Sequence, residues 1–403
     1  MRFLLLNQCF YPDHVATAQH LTDLGLELAA RGHQVTVVAS SRGYDNPELR
    51  YPTRETWQGI EIHRIWTPGL GKASKWRRLV DFGVFWLNAV RILMLLPRQD
   101  VTVCLTSPPL ISILGTLFAR LRGGAVVPWI MDLNPDEAVA AGWLKKGGLP
   151  ERVMSTLQNW SFGHASRIIA LDRFMADRLV AKGVERDRVY VSAPWSHDDV
   201  VRYDVAAREA FRREHGLSDK RVIMYSGNHS PCHPLDTVLA AARELRDEPR
   251  LRFLFVGGGS EFQKVRRFAE IECLTNITTL PYQPKEKLSG SLSAADLHLV
   301  VLGEPFVGIV HPCKIYNVLS LGLPVLCLSP RPSHLTDLVD EIAVPDSAMH
   351  LANDDLAGLV ESLKRVAKRG DNSPNETLRT VAARFGMGRL RPQMVEMVEG
   401  DGR

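Results

Sequence analysis

The sequence lacks the features that mark secreted, zinc-binding and nucleic-acid-binding proteins. Its six cysteines are scattered and form no CxxC pair, which favours a reducing compartment and argues against a structural zinc site. The apolar run Phe3–Leu6 is too short for the core of a signal peptide and predicts a first strand instead, so we expect a cytoplasmic chain. The formal net charge of +4 is too weak to indicate binding to nucleic acid.

A pair of aspartates that would hold a metal ion with a diphosphate is also missing from the loops after predicted strands. Asp198–Asp199 fall in a polar stretch between two predicted domains. Asp354–Asp355 precede a predicted helix, where acids commonly serve as caps. We therefore expect no metal ion in the site.

No uninterrupted apolar segment is long enough to span a bilayer. The most apolar stretch, residues 71–97, is broken by Asp81, Asn88 and Arg91. We predict that it forms an amphipathic helix lying on the anionic inner surface of the membrane. The basic and aromatic side chains expected to meet the headgroups are Lys72, Lys75, Trp76, Arg77, Arg78, Phe82, Phe85 and Trp86. The alternative is a core helix preceded by a solvated basic loop.

What the sequence does contain is a repeated alternation of apolar, strand-like runs with helical stretches, over residues 1–192 and again over 219–375. This alternation predicts parallel sheets covered by helices on both faces. The fold class is therefore α/β, with two doubly wound, Rossmann-like domains. Residues 193–218 are predicted to link them, and helices in 376–403 could pack back across the first domain.

Loops that follow strands are the places to look for a site, because ligands of such sheets bind at the carboxyl ends of the strands. We expect the two domains to face each other across a cleft at these ends. In the second domain, glycines at 227, 257–259 and 308 allow close approach of the backbone. His229, His233 and Lys314 add donor or positive groups, and Lys314 opens a predicted helix. This combination predicts an anion site, with a diphosphate as the usual anion. The alternative is a solvated surface lysine.

The first domain has an acidic loop after a predicted strand. Asp136 and Glu137 open a helix, where acids are ordinarily caps. Asp132 stands at the strand end itself, which favours a functional role. The alternative is a hydrogen bond that braces the loop.

The order of these motifs resembles family 4 glycosyltransferases of the GT-B fold, over nearly the whole chain. "FYPD" and "LAARGHQVTVVAS" look like the opening of that family, and "TSPP" with "MDLNPD" looks like its branch in bacterial polysaccharide assembly. "YSGNHSP" and "HPCKIYNVLSLGLPVL" are similar to its donor-binding segments. The resemblance implies a retaining enzyme whose first domain binds the acceptor. Its second domain would bind a nucleotide sugar, UDP- or GDP-linked, as co-substrate without a further cofactor.

The family's binding positions carry over to this chain residue by residue. Donor binding falls on Gly227, Asn228, His229, Gly258, Tyr282, Glu304, Gly308, Ile309, Lys314 and Asn317, and the acceptor or sugar loops hold Thr17 and Asn134. Many members carry two glutamates separated by seven residues, and here Ile309 and Asn317 stand in those positions. The family's Arg and Lys in the first loop of the second domain are also absent, which leaves Lys314 to neutralise the diphosphate.

The mechanism that the resemblance implies is front-side transfer of a hexosyl or N-acetylhexosaminyl group with retention. Lys314 would stabilise the leaving group, and Asp132 would orient the acceptor or the donor sugar. A lipid-linked or oligosaccharide acceptor is expected, at the cytoplasmic face of the inner membrane. Two alternatives stay open. One is a nucleotide-sugar epimerase of the same fold, and the other is a degenerate, non-catalytic partner subunit.

Overall fold

The computed structural model describes residues 1–44, 46, 48–70, 75–197, 200–368, 370 and 373–400 of the chain. Strands in this part are β1 (Arg2–Leu6), β2 (Gln34–Ser40), β3 (Arg54–Trp57), β4 (Ile60–Ile65), β5 (Val101–Cys104), β6 (Ala125–Pro128), β7 (Ile168–Ala170), β8 (Val189–Val191), β9 (Arg221–Asn228), β10 (Leu251–Gly258), β11 (Ile277–Leu280), β12 (Leu297–Val301), β13 (Val325–Leu328) and β14 (Ala348–Leu351).

Helices connect most of these strands. They are α1 (Ala16–Ala30), α2 (Lys75–Leu95), α3 (Ser112–Arg122), α4 (Asp136–Ala140), α5 (Leu149–Gly163), α6 (Arg173–Ala181), α7 (Val205–Glu214), α8 (Asp236–Glu244), α9 (Phe262–Ile271), α10 (Leu288–Ser293), α11 (Lys314–Leu321), α12 (His334–Ile342), α13 (Leu356–Lys368), α14 (Glu376–Ala382) and α15 (Met387–Glu399). The chain divides into two compact units, one of Met1–Pro194 with the residues from Leu390 onward, and one of Trp195–Arg389.

The first unit is built on a sheet of order β3-β4-β2-β1-β5-β6. All neighbours pair in parallel except β3, which runs antiparallel to β4 at the edge. Strand β5 is buried along its whole length, and β1 at every position but its first. Continuous apolar strands of this kind are expected where both faces of a sheet are covered by helices.

The second unit repeats the design with a sheet of order β11-β10-β9-β12-β13-β14, in which all pairs are parallel. Strands β12 and β13 are completely buried. The predicted α/β class with two doubly wound, Rossmann-like domains is thereby confirmed.

The segment predicted as a linker, residues 193–218, needs a correction. The boundary lies between Pro194 and Trp195, and the segment contains α7, which packs against α10. Arg208 and Arg212 of α7 reach the fully buried carboxylate of Asp296 at 2.7 and 3.0 Å. The stretch resembles a solvated linker in sequence because it is rich in polar residues. In the structure, two of them, Arg208 and Arg212, form ion pairs inside the second unit.

Two edge strands were not predicted. Strand β3 has the sequence RETW, and β14 has AMHL. Both are four residues long; β3 has a single apolar side chain, Trp57, and β14 is interrupted by His350. Such strands gain their order from pairing with a neighbour more than from an apolar run of their own.

The last helix completes the first unit. From Leu390 onward, α15 belongs to that unit and buries Met394 and Val395. Arg391 lies 3.0 Å from Glu27 of α1, and Glu399 lies 2.6 Å from His33 just after α1.

Helix α2 covers the apolar stretch that we predicted to be amphipathic. Phe85 is fully buried in the first unit, which corrects its predicted place at a headgroup boundary, since one stripe of the helix faces the core. Lys72 and the side chains of Lys75, Trp76 and Arg78 lie outside the described residues. Among the helices that are described, none is long and apolar enough to cross a membrane.

Candidate functional site

Two neighbouring strands of the second unit carry glycines near their carboxyl ends. Gly257 pairs with Gly227, and Gly258 with Asn228, at the carboxyl ends of β10 and β9. A Cβ atom on Gly257 would lie 2.0 Å from the carbonyl oxygen of Gly227, and φ there is +136°. Only glycine fits such a position. The absent side chains let the two strand ends and the side chain of Lys314 approach one another closely.

Lys314, the first residue of α11, reaches this edge. Its Nζ lies 3.8 Å from the centre of the Tyr225 ring, and a Cβ on Gly227 would be 3.1 Å from it. The Nζ is shielded from solvent and has no hydrogen-bond partner among the described residues. Burial lowers the pKa of Lys314 to about 7. A shielded cation without an anion indicates a place for an anionic ligand.

His229 lies inside the loop and is fully buried. Its Nδ1 donates to the carbonyl oxygen of Gly227 at 3.0 Å, and its ring meets the edges of Tyr225 and Phe262. Burial and then the charge of Lys314 lower its pKa to about 4. The neutral ring therefore braces the glycine turn and adds no positive charge.

His233 is buried in the same way. Its Nδ1 donates to the carbonyl oxygen of Val301 at 2.7 Å. Burial, followed by Lys314, lowers its pKa to about 3. Among the described residues of this loop region, the positive charge thus comes from Lys314 and not from the two histidines.

The other predicted donor residues fall into two groups. Asn228 and Glu304 are exposed, and Tyr282 is exposed beside Gly258, where a Cβ would lie 3.0 Å from its ring. By contrast, Ile309 is buried, and Gly308 is a buried turn residue with φ of +69°. Ile309 therefore offers a ligand at most its backbone.

Asn317, in the position of the family's second glutamate, already has a partner. Its Oδ1 accepts a hydrogen bond from the backbone N–H of His197 at 3.1 Å. The residue ties α11 to the beginning of the second unit. Within the described residues its amide nitrogen has no hydrogen-bond partner, and this nitrogen is the polar atom that it can offer to a ribose hydroxyl.

Three further residues around this loop were not predicted as site residues. Tyr225 lies under Lys314 and donates from its hydroxyl to the carbonyl oxygen of Asn228 at 2.8 Å. His311 and Tyr316 are joined through the His311 Nε2 and the tyrosine hydroxyl at 2.7 Å. Each stands in an apolar or mixed run, and its role becomes visible only in three dimensions.

In the first unit, Asp132 lies in the loop after β6, where it lines a small cavity with Thr106 and Gln158. Burial, and then the charge of Glu137, raise the pKa of its carboxyl group well above the usual range. Asn134 donates from its amide to Glu137 at 3.1 Å. Thr17 is half-buried in the first turn of α1.

The acids Asp136 and Glu137 lie in the first turn of α4, where negative charge is favourable to the helix. Asp136 pairs with Lys182 at 2.7 Å, and Pro135, the residue before the helix, makes no side-chain cap. Of the aspartate pairs, Asp355 accepts a hydrogen bond from the N–H of Gly358 at 2.8 Å at the start of α13. Asp198–Asp199 lie outside the described residues.

Comparison with known proteins agrees with this architecture. A family model described as "Glycosyl transferase 4-like domain" matches residues 16–195, and one described as "Glycosyl transferases group 1" matches residues 207–344. Together they span well over half of the chain. The chain therefore belongs to the group 1, family 4-type glycosyltransferases of the GT-B fold, as the sequence motifs predicted.

Individual relatives of the chain are named as glycosyltransferases too. The putative colanic acid biosynthesis glycosyl transferase WcaI of Escherichia coli (strain K12) is 27% identical over 345 residues, which cover 80% of this chain and 82% of that protein. The D-inositol 3-phosphate glycosyltransferase of Nocardia farcinica is 33% identical over 212 residues, 50% of this chain and 46% of that protein.

Solved structures are similar in fold at low sequence identity. WaaG, a glycosyltransferase involved in lipopolysaccharide biosynthesis, aligns with a TM-score of 0.72 at 17% identity, over 99% of this chain and all of that one. HepE of Anabaena in complex with UDP-glucose aligns with a TM-score of 0.71 at 14% identity, over 99% of both chains.

Proposed function

We propose that the chain is a retaining glycosyltransferase that moves a hexosyl or N-acetylhexosaminyl group from a nucleoside-diphosphate sugar to a lipid-linked or oligosaccharide acceptor. Its place would be bacterial polysaccharide or glycolipid assembly, at the cytoplasmic face of the inner membrane. The observation that carries the proposal is Lys314, whose shielded Nζ has no hydrogen-bond partner among the described residues and lies beside Gly227.

The proposed roles follow from charge and shape. A diphosphate seated on the glycine edge would give Lys314 the anion that it lacks, and the positive end of α11 would add to the attraction. As the bond to the sugar breaks, negative charge grows on the departing diphosphate, and a fixed cation stabilises it. We expect this arrangement to work without a metal ion.

Asp132 would act in the first unit on the acceptor or on the transferred sugar. Because its pKa is raised by burial, the carboxyl group can keep its proton and donate a hydrogen bond to a sugar oxygen. The acceptor hydroxyl would then lose its proton to the departing phosphate, and no protein base is needed near the reacting carbon.

The relatives support the setting of the reaction. WcaI is named for colanic acid biosynthesis, and WaaG for lipopolysaccharide biosynthesis. HepE has been solved with UDP and with UDP-glucose, which supports a UDP-sugar as the first donor to test and a GDP-sugar as the second.

The test is turnover of a panel of UDP- and GDP-sugars with lipid-linked acceptors, with and without a chelator. We expect transfer with one donor, retention of the anomeric configuration in the product, and no loss with chelator. Release of free nucleoside diphosphate that does not depend on acceptor would instead favour an epimerase.

Asn317 gives the degenerate-subunit alternative a specific observation, because its oxygen already binds His197. Calorimetry with the same donors distinguishes the two. Binding of a nucleotide sugar supports the enzyme, and no binding to any member of the panel supports a non-catalytic subunit.

A further inference from the structure

Helix α2 is apolar on two opposite stripes. One stripe, which includes Phe85 and Ala89, is buried in the first unit. The other contains Leu87, which is 74% exposed, and Leu95, which is 78% exposed, with Val90 and Met94 between them. Residues spaced by three, four, seven and eight positions share one face of a helix. An amphipathic surface helix would carry polar side chains there, so this outer stripe is unusual.

The neighbouring helix extends the same surface. On α3, Leu121 is 81% exposed, and Leu117, one turn earlier, is also exposed. The two helices pack together, and Arg122 donates to the backbone carbonyl of Met94 at 2.7 Å. Their ends therefore meet at one corner of the first unit. The apolar surface is defined by Leu87, Val90, Met94, Leu95, Leu117 and Leu121.

Charge around the apolar surface has one sign. Arg91 lies four residues after Leu87 on the same face of α2, and Arg98, Arg120 and Arg122 are exposed within a few residues of the apolar ones in sequence. Residues 82–131 contain a single acid, Asp100, whose carboxylate accepts from the backbone N–H of Arg2 at 2.8 Å. An exposed apolar surface surrounded by cations is complementary to a layer that is negative outside and apolar beneath.

We infer that the apolar surface of α2 and α3 inserts into a leaflet of anionic lipid, with the four arginines at the headgroups. Arginine can keep its guanidinium in the headgroup layer while its methylene groups lie along the apolar side chains. A second copy of the chain fits less well, because a two-fold contact would set the same arginines against each other. Attachment by two helix faces is reversible, as expected for surface helices that do not span.

This inference deepens the membrane part of the proposed function and rests on it for its setting. It also relocates the attachment. The surface lies on the second half of α2 and on α3, whereas the sequence indicated the basic residues around the beginning of α2, together with aromatic residues such as the buried Phe85. The acceptor would then be presented to the unit that we expect to bind it.

Sedimentation with vesicles tests the inference. Wild-type protein is compared on vesicles of phosphatidylcholine mixed with phosphatidylglycerol and on vesicles of phosphatidylcholine alone. We expect pelleting with the anionic vesicles and its loss at high salt, since screening shortens the range of the attraction. No pelleting, or equal pelleting with both vesicles, would overturn the inference.

Two variants locate the surface. Leu95→Asn with Leu121→Asn should weaken binding to anionic vesicles by about tenfold or more. Arg91→Gln with Arg120→Gln should weaken it by roughly 25-fold, at about fivefold for each charge. The matched controls lie in the second unit. Val205→Asn with Ile271→Asn, at exposed apolar residues, is the control for the leucine variant. Arg266→Gln with Arg267→Gln, at exposed arginines, is the control for the arginine variant. The controls should bind as the wild type does.

The remaining outcomes are equally decisive. Unchanged binding of both surface variants would overturn the assignment. So would a concentration-dependent dimer that Leu95→Asn with Leu121→Asn converts to a monomer. Transfer to a soluble acceptor analogue should be the same in wild type and variants. Lost vesicle binding with intact transfer therefore separates failure of this inference from failure of the proposed function.

Discussion

The two units carry loops of opposite chemistry at the ends of their strands. In the second unit, burial lowers the pKa of Lys314 to about 7, and in the first it raises the pKa of Asp132. Both groups are thus pushed toward their neutral forms. The difference lies in what surrounds them. Lys314 lies beside glycines, without a hydrogen-bond partner in the described part of the chain, whereas Asp132 lies near Glu137, which Asn134 also contacts.

This difference indicates which of the two loops requires a charged ligand. The acidic loop can lower its own charge by keeping a proton between neighbouring carboxylates. The glycine loop has no such partner, and its lysine is stabilised as a cation only when an anion enters. We therefore expect substitutions in the glycine loop to affect the binding of nucleoside diphosphate far more than those in the acidic loop.

The largest effect is expected from Gly257→Ala. Its Cβ would meet the carbonyl oxygen of Gly227 at 2.0 Å in a backbone with φ of +136°. Strain and overpacking together should cost about 3–5 kcal/mol of unfolding free energy, measured in urea. Gly216→Ala is the control, because φ is +65° and nothing lies within 4 Å. The control substitution should lower the unfolding free energy by about 1–2 kcal/mol. Equal losses would mean that the two strand ends can move apart.

Lys314→Ala should come next. Removing one charge-assisted contact costs about 1.5–3 kcal/mol, so UDP or GDP should bind roughly 10- to 150-fold more weakly in calorimetry. The melting temperature should stay close to that of the wild type, because the loss of contact with the Tyr225 ring is offset by the removal of a shielded charge that has no hydrogen-bond partner in the described part of the chain. Lys364→Ala, which removes an exposed lysine of α13, is the matched control. Unchanged affinity in Lys314→Ala would remove the glycine loop as the diphosphate site.

The pH dependence of the same binding gives a smaller effect with a definite sign. Lys314 is half protonated near pH 7 in the free protein, and a bound diphosphate raises its pKa. Binding then takes up a proton above pH 7, and the affinity should fall about tenfold between pH 6 and pH 8. Calorimetry in buffers of different ionisation enthalpy measures this uptake. The terminal phosphate of the ligand titrates in the same range, so the lysine's contribution is the difference between wild type and Lys314→Met, and the same fall in affinity in both proteins would contradict the assignment.

The smallest effect on donor binding is expected in the acidic loop. Asp132→Asn keeps a neutral group that can donate a hydrogen bond, so UDP affinity should change by less than about threefold and turnover should fall by roughly five- to tenfold. Asp136→Asn breaks an ion pair with Lys182 and should affect turnover little. A large fall in melting temperature for Asp132→Asn, with turnover per folded molecule unchanged, would identify a bracing role.

The fold was predictable because its signals are local. Strand β5 is a short apolar run, and α11 begins after a proline-containing loop and ends at Gly322 in a left-handed conformation. These patterns need no knowledge of distant residues. Strand β14 and helix α7 were missed because their order comes from partners far along the chain, such as Asp296 for Arg212.

The candidate site was predictable in outline and not in detail. In the sequence, Gly227 and Lys314 predict an anion site. The sequence does not predict that the ring of Tyr225 lies beneath the Nζ atom of Lys314. In the sequence, His229 looks like a hydrogen-bond donor to a ligand. Its burial in the structure shows that it braces the glycine turn instead. Asn317 stands in the position of the family's ribose ligand, and the sequence did not predict that its oxygen accepts a hydrogen bond from His197.

The return of the last helix to the first unit has a consequence for biosynthesis on the ribosome. Residues of α1 emerge early, yet Glu27 and His33 find Arg391 and Glu399 only after more than 350 further residues have been translated. The second unit is complete at Arg389 and can fold while the first still lacks its final helix. The unit that is synthesised first is therefore finished last, and until then it exposes the surface that Met394 and Val395 will cover.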